Sequence, residues 1–332
     1  MAAMKTLVLL LTLVSGLGGC AMMTSVSENY PTTLYDTLVL DSTDGSTLTP
    51  ATLARKLARA DVVVIGEYHG HQGSHLLQSR VQQELFRLRP AQVLTMEQFN
   101  LDHQQDLDRY LQGQSGEAEM IEDADAWANY RGSYRPLVEF ARNHQLPVIA
   151  ANAPVDIVRC IGRRGPDYLE QLSDDRRQYL PDDPFLDTKA YRAKFVEAIT
   201  GSHSSGDPTM SERMNNSYKA QLLRDNTMAS RILAARQQNP DAQILHLTGT
   251  FHSEDNLGTV ALLRQRAPEL SVLVVSPVVW PSAAQQPPRE KNRNKGDYLY
   301  FIQPLPEEFQ DPEREQAAMK VRFSRAADAD CN

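Results

Sequence analysis

Apolar residues fall into two kinds of run along this chain. Residues 61–65 read Asp-Val-Val-Val-Ile, a continuous β-branched stretch, and residues 243–247 make a second apolar run. Runs without polar alternation suit parallel strands covered on both faces. Further strands are predicted at residues 93–96, 146–151, 271–275 and 298–302, with a short one near residues 37–40. Between them the apolar spacing becomes helical. Leu76, Leu77, Val81, Leu85 and Phe86 recur at that spacing within residues 74–89, and Pro90 closes the segment. Helices are also predicted over residues 53–60, 102–111, 134–144 and 259–266. From residue 155 to 239 no strand pattern occurs, and Arg, Glu, Gln and Met are dense, interrupted by a polar loop at residues 201–208. The alternation predicts an α/β fold: a mainly parallel central sheet flanked by helices, with a smaller helical domain inserted. The sheet domain takes residues 51–154 and 240–305, the helical insertion 155–239, and residues 306–332 read as a charged tail.

Composition narrows the partners. The 332 residues carry 34 Lys and Arg against 42 Asp and Glu, a formal net charge of −8. That surplus of acid argues against a general nucleic-acid binder, because such affinity rests on excess cations neutralising phosphates. Mean hydropathy of −0.44 excludes a polytopic membrane protein. Three cysteines exclude a disulfide-rich scaffold and any zinc module built on four of them. Cys160 and Cys331 either pair in an oxidising compartment or stay as two free thiols.

The amino-terminal end is the exceptional part. Lys5 precedes an apolar run from Leu7 to Val14, which gives way to small residues, the layout of a secretory signal too short to span a bilayer. Leu17-Gly18-Gly19-Cys20 resembles the lipobox of bacterial lipoproteins, which implies signal cleavage before Cys20 and lipidation of that cysteine. Ala21 at the next position implies the outer membrane rather than retention at the inner one. Residues 20–50 then read as a Ser/Thr-rich tether.

A short internal echo points to chemistry. The strand at 61–65 runs into Gly66-Glu67-Tyr68-His69, and the strand at 243–247 into Gly249-Thr250-Phe251-His252. Ligands of open parallel sheets sit beyond the carboxyl ends of the strands, so both histidines are expected at one edge. Glu97 and Phe99 follow the next strand and Asn152 the one after. Glu67, His69, Glu97 and His252 therefore suit either a divalent metal site or general acid–base hydrolysis. His71 and His75 lie in the same loop, and His75 is expected to bond that loop. Asp225 reads either as a surface charge or as pointing toward the His69 and His252 edge.

The stretch Trp127-Ala-Asn-Tyr130-Arg-Gly-Ser133-Tyr134-Arg-Pro136 is unusual too. Ser133 reads as a helix N-cap with Pro136 in the first turn. Tyr134 then stands at a helix start, with Arg131 and Arg135 favouring its phenolate. Met210 and Met214 have i,i+4 spacing and suit an apolar ligand wall. Cys-x-x-Cys-His, His-Glu-x-x-His, P-loop and Gly-x-Ser-x-Gly motifs are absent.

Taken in order, Gly66-Glu-Tyr-His69, Met96-Glu97-Gln-Phe99, Tyr134-Arg-Pro-Leu137, Ile149-Ala-Ala-Asn152-Ala-Pro154, Asp225-Asn-Thr-Met228-Ala229 and Gly249-Thr-Phe-His252 resemble the ChaN-like haem-binding lipoproteins. These sit within a wider group that includes erythromycin esterases and Tiki/TraB-type proteins. The resemblance implies a haem-binding lipoprotein of the outer membrane serving haem or iron uptake, with a receptor or transporter as partner. It implies haem b held without covalent bonds where protomers meet, in a haem-bridged homodimer. It also implies a tyrosine on the iron and a histidine on a propionate. Tyr134 matches the ligand, with Tyr130 in reserve; His69 and His252 are both carried for the propionate. Arg131, Arg135 and Asn152 complete the expected pocket. The extra histidines and the Met-rich insertion depart from a simple family pattern.

Overall fold

A computed structural model describes residues 29–200, 211–283, 285–327 and 331. The expected signal peptide, Cys20, the polar loop and Met210 lie outside them. Eight strands form one sheet: β1 (Leu38–Asp41), β2 (Thr47–Leu48), β3 (Val62–Glu67), β4 (Gln92–Asn100), β5 (Val148–Asn152), β6 (Gln243–Gly249), β7 (Val272–Val279) and β8 (Tyr298–Ile302). Their spatial order is β2-β1-β8-β7-β3-β6-β4-β5. All pairings from β8 to β5 are parallel, and β1 runs antiparallel to both β2 and β8. The mainly parallel α/β sheet expected from the sequence is therefore observed.

The centre of the sheet is the run of β-branched residues. Val62, Val63, Val64 and Ile65 on β3 are all fully buried, between a parallel partner on each side and helices on both faces. One face packs Val63, Ile65, Leu94 and Leu247 against Leu77, Val81 and Leu85 of the helix Gln72–Leu88. The other packs Val62, Val64, Val93 and Ile244 against Ala229, Ile232 and Ala235. Those three residues belong to the long helix Glu212–Gln238, whose N-cap Ser211 accepts the Met214 N–H at 3.3 Å.

Residues 155–200 are helical and strandless as expected. The second half of the long helix, however, joins the sheet core, so the inserted segment shares the hydrophobic interior of the α/β unit. Residues 306–332 were expected as a charged tail, but Pro312–Ala327 is a helix. A Cys160–Cys331 disulfide ties the segment beyond it to the helix Val155–Arg164, which answers the open question about these two thiols.

Candidate functional site

Two strand ends define the site. Glu67 ends β3 and pairs in register with Gly249, which ends β6. His69 and His252 follow them, and both line one cavity of about 250 Å³ together with Glu67, Tyr68, Gln221, Gly249, Thr250 and Phe251. The two glycine–histidine corners thus meet at one edge.

Glu67 is the buried hub. Its Oε1 accepts the Tyr134 hydroxyl at 2.7 Å and Gln98 Nε2 at 3.3 Å, and lies 2.8 Å from His69 Nδ1. Its Oε2 accepts Gln78 Nε2 at 2.7 Å and lies 3.6 Å from His75 Nδ1. Burial opposes the charge, but His69, His75 and Tyr134 outweigh it and hold the carboxyl below its usual range. His69 keeps 43% of its side chain exposed. Burial disfavours its charged form too, and Glu67 and Glu97 reverse that and raise it. Its ring stands edge-on to Trp127 with centroids 4.8 Å apart.

The second corner is closed. His252 Nδ1 lies 2.9 Å from Asp225, and Nε2 lies 3.4 Å from Glu97. Burial pushes this imidazole down, yet the two carboxylates raise it to about 10. Glu97 also accepts the Thr248 hydroxyl at 2.7 Å and the Gly249 N–H at 2.6 Å. Asp225 points inward and accepts from Tyr191 at 2.6 Å and Thr259 at 2.9 Å. Both nitrogens of His252 are occupied, and among the described residues no three His, Cys, Asp or Glu side chains are arranged to hold a metal ion. The hydrolytic quartet of Glu67, His69, Glu97 and His252 is gathered as expected, without the donor geometry of a divalent metal cage.

The tyrosine stretch differs from expectation. Ser133 ends a single turn, Tyr130–Ser133, and the next helix starts at Arg135 with Tyr134 as its cap residue. Tyr134 is fully buried, and its phenol donates to Glu67 rather than meeting a guanidinium. Burial and the Glu67 charge push it above its usual range, opposite to the expected phenolate. Arg131 and Arg135 turn outward and both bind Glu117. Adjacency in sequence placed them beside Tyr134, whereas the helical turn sends the ring inward and the arginines out. Tyr130 is buried as well, its hydroxyl without a hydrogen-bond partner, and its ring packs on Phe99.

Other expected residues serve the scaffold. Asn152 donates to the Glu97 carbonyl at 3.0 Å and accepts the Ala153 N–H at 2.9 Å, joining the ends of β4 and β5. His75 accepts the Gly70 N–H at 3.2 Å, bonding its own loop as expected. His71 caps the helix Gln72–Leu88 by accepting the Gly73 N–H at 3.1 Å. Met214 is half-buried against the cluster of Tyr191, Phe195, Tyr218 and Leu222 and does not line the cavity. The sequence reading missed Tyr68, Gln221 and Phe251 as lining residues. The echo itself held two of them, since each corner carries an aromatic just before its histidine.

A family model described as haem-binding uptake, Tiki superfamily, ChaN matches residues 53–263. Among solved structures, ChaN of Campylobacter jejuni, described with cofacial haem binding, is similar with a TM-score of 0.61 at 16% identity, over 81% of this chain and 98% of that one. The erythromycin esterase EreC in its open conformation has a TM-score of 0.44 at 13% identity, over 69% and 72%. A succinoglycan biosynthesis protein has a TM-score of 0.48 at 10% identity, over 83% and 94%. No curated relative matches the chain in sequence.

Proposed function

Because this chain belongs to the ChaN haem-binding uptake family of the Tiki superfamily, we propose that it binds haem at the mouth of the β3/β6 cavity and serves haem or iron uptake. One observation carries the reading: His69 is held at Nδ1 by a buried carboxylate at 2.8 Å while its ring remains exposed at the mouth. Iron-bound histidines are commonly oriented by such a carboxylate on the other ring nitrogen. Tyr68, Trp127 and Phe251, all half-buried, supply flat apolar surface around it.

The residues fit haem as a rim rather than a pocket. Ligand cavities for drug-sized molecules run from roughly 300 Å³ upward, so about 250 Å³ does not enclose a macrocycle. Most of the ring would rest on the aromatic rim, with its other face free for a second copy of the chain. The cofacial haem described for the similar C. jejuni ChaN supports such a haem-bridged pair. Haem b, when bound, would supply an iron able to take a protein donor. His69, rather than the buried Tyr134, is our assignment for that donor, with Tyr134 orienting Glu67 behind it. The lipobox at Cys20 is our basis for an outer-membrane lipid anchor. The Cys160–Cys331 bridge supports an oxidising compartment.

The test is titration of purified protein with hemin, followed at the Soret band. A saturable shift at micromolar hemin is expected, weakened by His69→Ala about ten-fold or more, in line with loss of a metal–ligand interaction. No saturable shift with the unaltered protein overturns the reading.

A further inference from the structure

The long helix carries a guanidinium that the site described above does not use. Gln221, Arg224, Asp225 and Met228 recur at three- and four-residue intervals and so share one helix face. Gln221 meets His252 at 3.2 Å, Asp225 meets it at 2.9 Å, and the Met228 sulfur lies 3.8 Å from the Thr248 hydroxyl. Arg224 stands among these contacts, half-buried, with no hydrogen bond or ion pair among the described residues. Its acidic neighbours are already taken: Glu97 by Thr248, Gly249 and His252, and Asp225 by Tyr191, Thr259 and His252.

A second arginine faces it. The helix Val155–Arg164 packs antiparallel on the long helix. A Cβ on Gly165 would meet Asn216 at 3.1 Å, and one on Gly162 would meet Ala220 at 3.9 Å. The next rung of that seam sets Arg159, one turn before Gly162, opposite Arg224, one turn after Ala220. Arg159 is exposed and has no acidic partner among the described residues, because nearby Asp156 is bound by Arg176 at 2.6 Å. The helix Val155–Arg164 starts three residues after β5 ends, so its positive dipole end points to the same sheet edge. Burial makes the Arg224 charge costly; Glu97 and Asp225 relieve part of that cost, and Arg159 adds to it. Two neighbouring cations whose nearby carboxylates are hydrogen-bonded to other groups are an arrangement that an anion improves.

We infer that Arg159 and Arg224 form a carboxylate-binding pair at the head of this seam, receiving the acid group of a ligand whose body rests on the neighbouring aromatic rim. Two guanidinium forks match a carboxylate in geometry and charge better than the imidazole corner, where His252 is already saturated. The inference rests on the haem reading for the ligand's identity, a porphyrin propionate, but the anion pair stands on its own residues.

The experiment compares hemin with hemin dimethyl ester, which lacks the propionate charges, on the unaltered protein and on Arg224→Gln and Arg159→Gln. Each variant is expected to weaken hemin binding about ten-fold, the size of one charge-assisted bond, with the Soret position and ester affinity unchanged. Unchanged hemin affinity in both variants overturns the pair, and so does an equal loss for hemin and ester, which marks a structural role. If the unaltered protein binds neither porphyrin, the haem reading fails and the pair is judged with succinate. Stabilisation by succinate in thermal unfolding, lost in Arg224→Gln, then upholds the anion site; its absence overturns that too.

Discussion

Gly249 and His69 are in contact so close that a Cβ added to the glycine would lie 2.7 Å from the His69 Nε2. The backbone of Gly249, with φ −60° and ψ 150°, is one any residue can adopt. The glycine is thus required by the imidazole opposite it. Gly249→Ala is expected to displace His69 while leaving the circular dichroism spectrum intact. Hemin affinity should fall about ten-fold or more, as a displacement near an ångström at a ligand-holding group commonly costs. Retained affinity would remove His69 from the site.

Tyr134→Phe separates two roles for the buried phenol. It removes one donor from a fully buried carboxylate, which costs about 1–3 kcal/mol of stability, read by urea unfolding. With His69 as the donor to the iron, the Soret position of the hemin complex stays unchanged. A spectral change of the kind seen when an anionic oxygen ligand is lost would give the iron to Tyr134.

The His252 corner predicts an alkaline limit. Its folded value of about 10 lies above that of an unfolded imidazole near 6.5. The stabilisation it brings is therefore complete below about pH 6.5 and is lost as pH rises through 10. Glu97 moves the other way: held low despite burial, it contributes above its unfolded value and loses that contribution as pH falls. Melting temperatures measured across pH should fall at both ends. His252→Gln should flatten the alkaline limb; an unchanged limb would assign it to another group.

The Cys160–Cys331 bridge closes a loop with a sequence separation of 171. Removing a native bridge commonly costs about 2–5 kcal/mol. Cys331→Ser is expected to lower the melting temperature and open the Pro312–Ala327 helix to protease. A melting temperature insensitive to reductant would show that the bridge contributes nothing.

The central strands were legible because β3 opens on the continuous apolar run Val62–Ile65 and β6 is mostly apolar, interrupted by His246, a pattern that burial on both faces explains. Glu67, His69, Glu97 and His252 were legible for a related reason: each follows such a run, and strand ends of a parallel sheet share an edge. Asp225 is ambiguous in the sequence because Arg224 and Asn226 on either side of it are polar, and only the fold shows which side meets His252. The direction of Tyr134 was misread, since sequence adjacency to Arg131 and Arg135 says nothing about which side of a turn each chain takes. Gln78 and Gln98, which satisfy Glu67, carry no pattern that marks them out. The Pro312–Ala327 helix was hidden by its charge.

Glu67 and Gly249 sit opposite one another in the β3/β6 ladder, although β4, β5 and the entire long helix come between them in the chain. During biosynthesis the ribosome therefore completes the first corner long before the second exists. Whatever this edge captures can be held there only once β6 has been made and laid beside β3, so no fragment ending before Gly249 presents both corners.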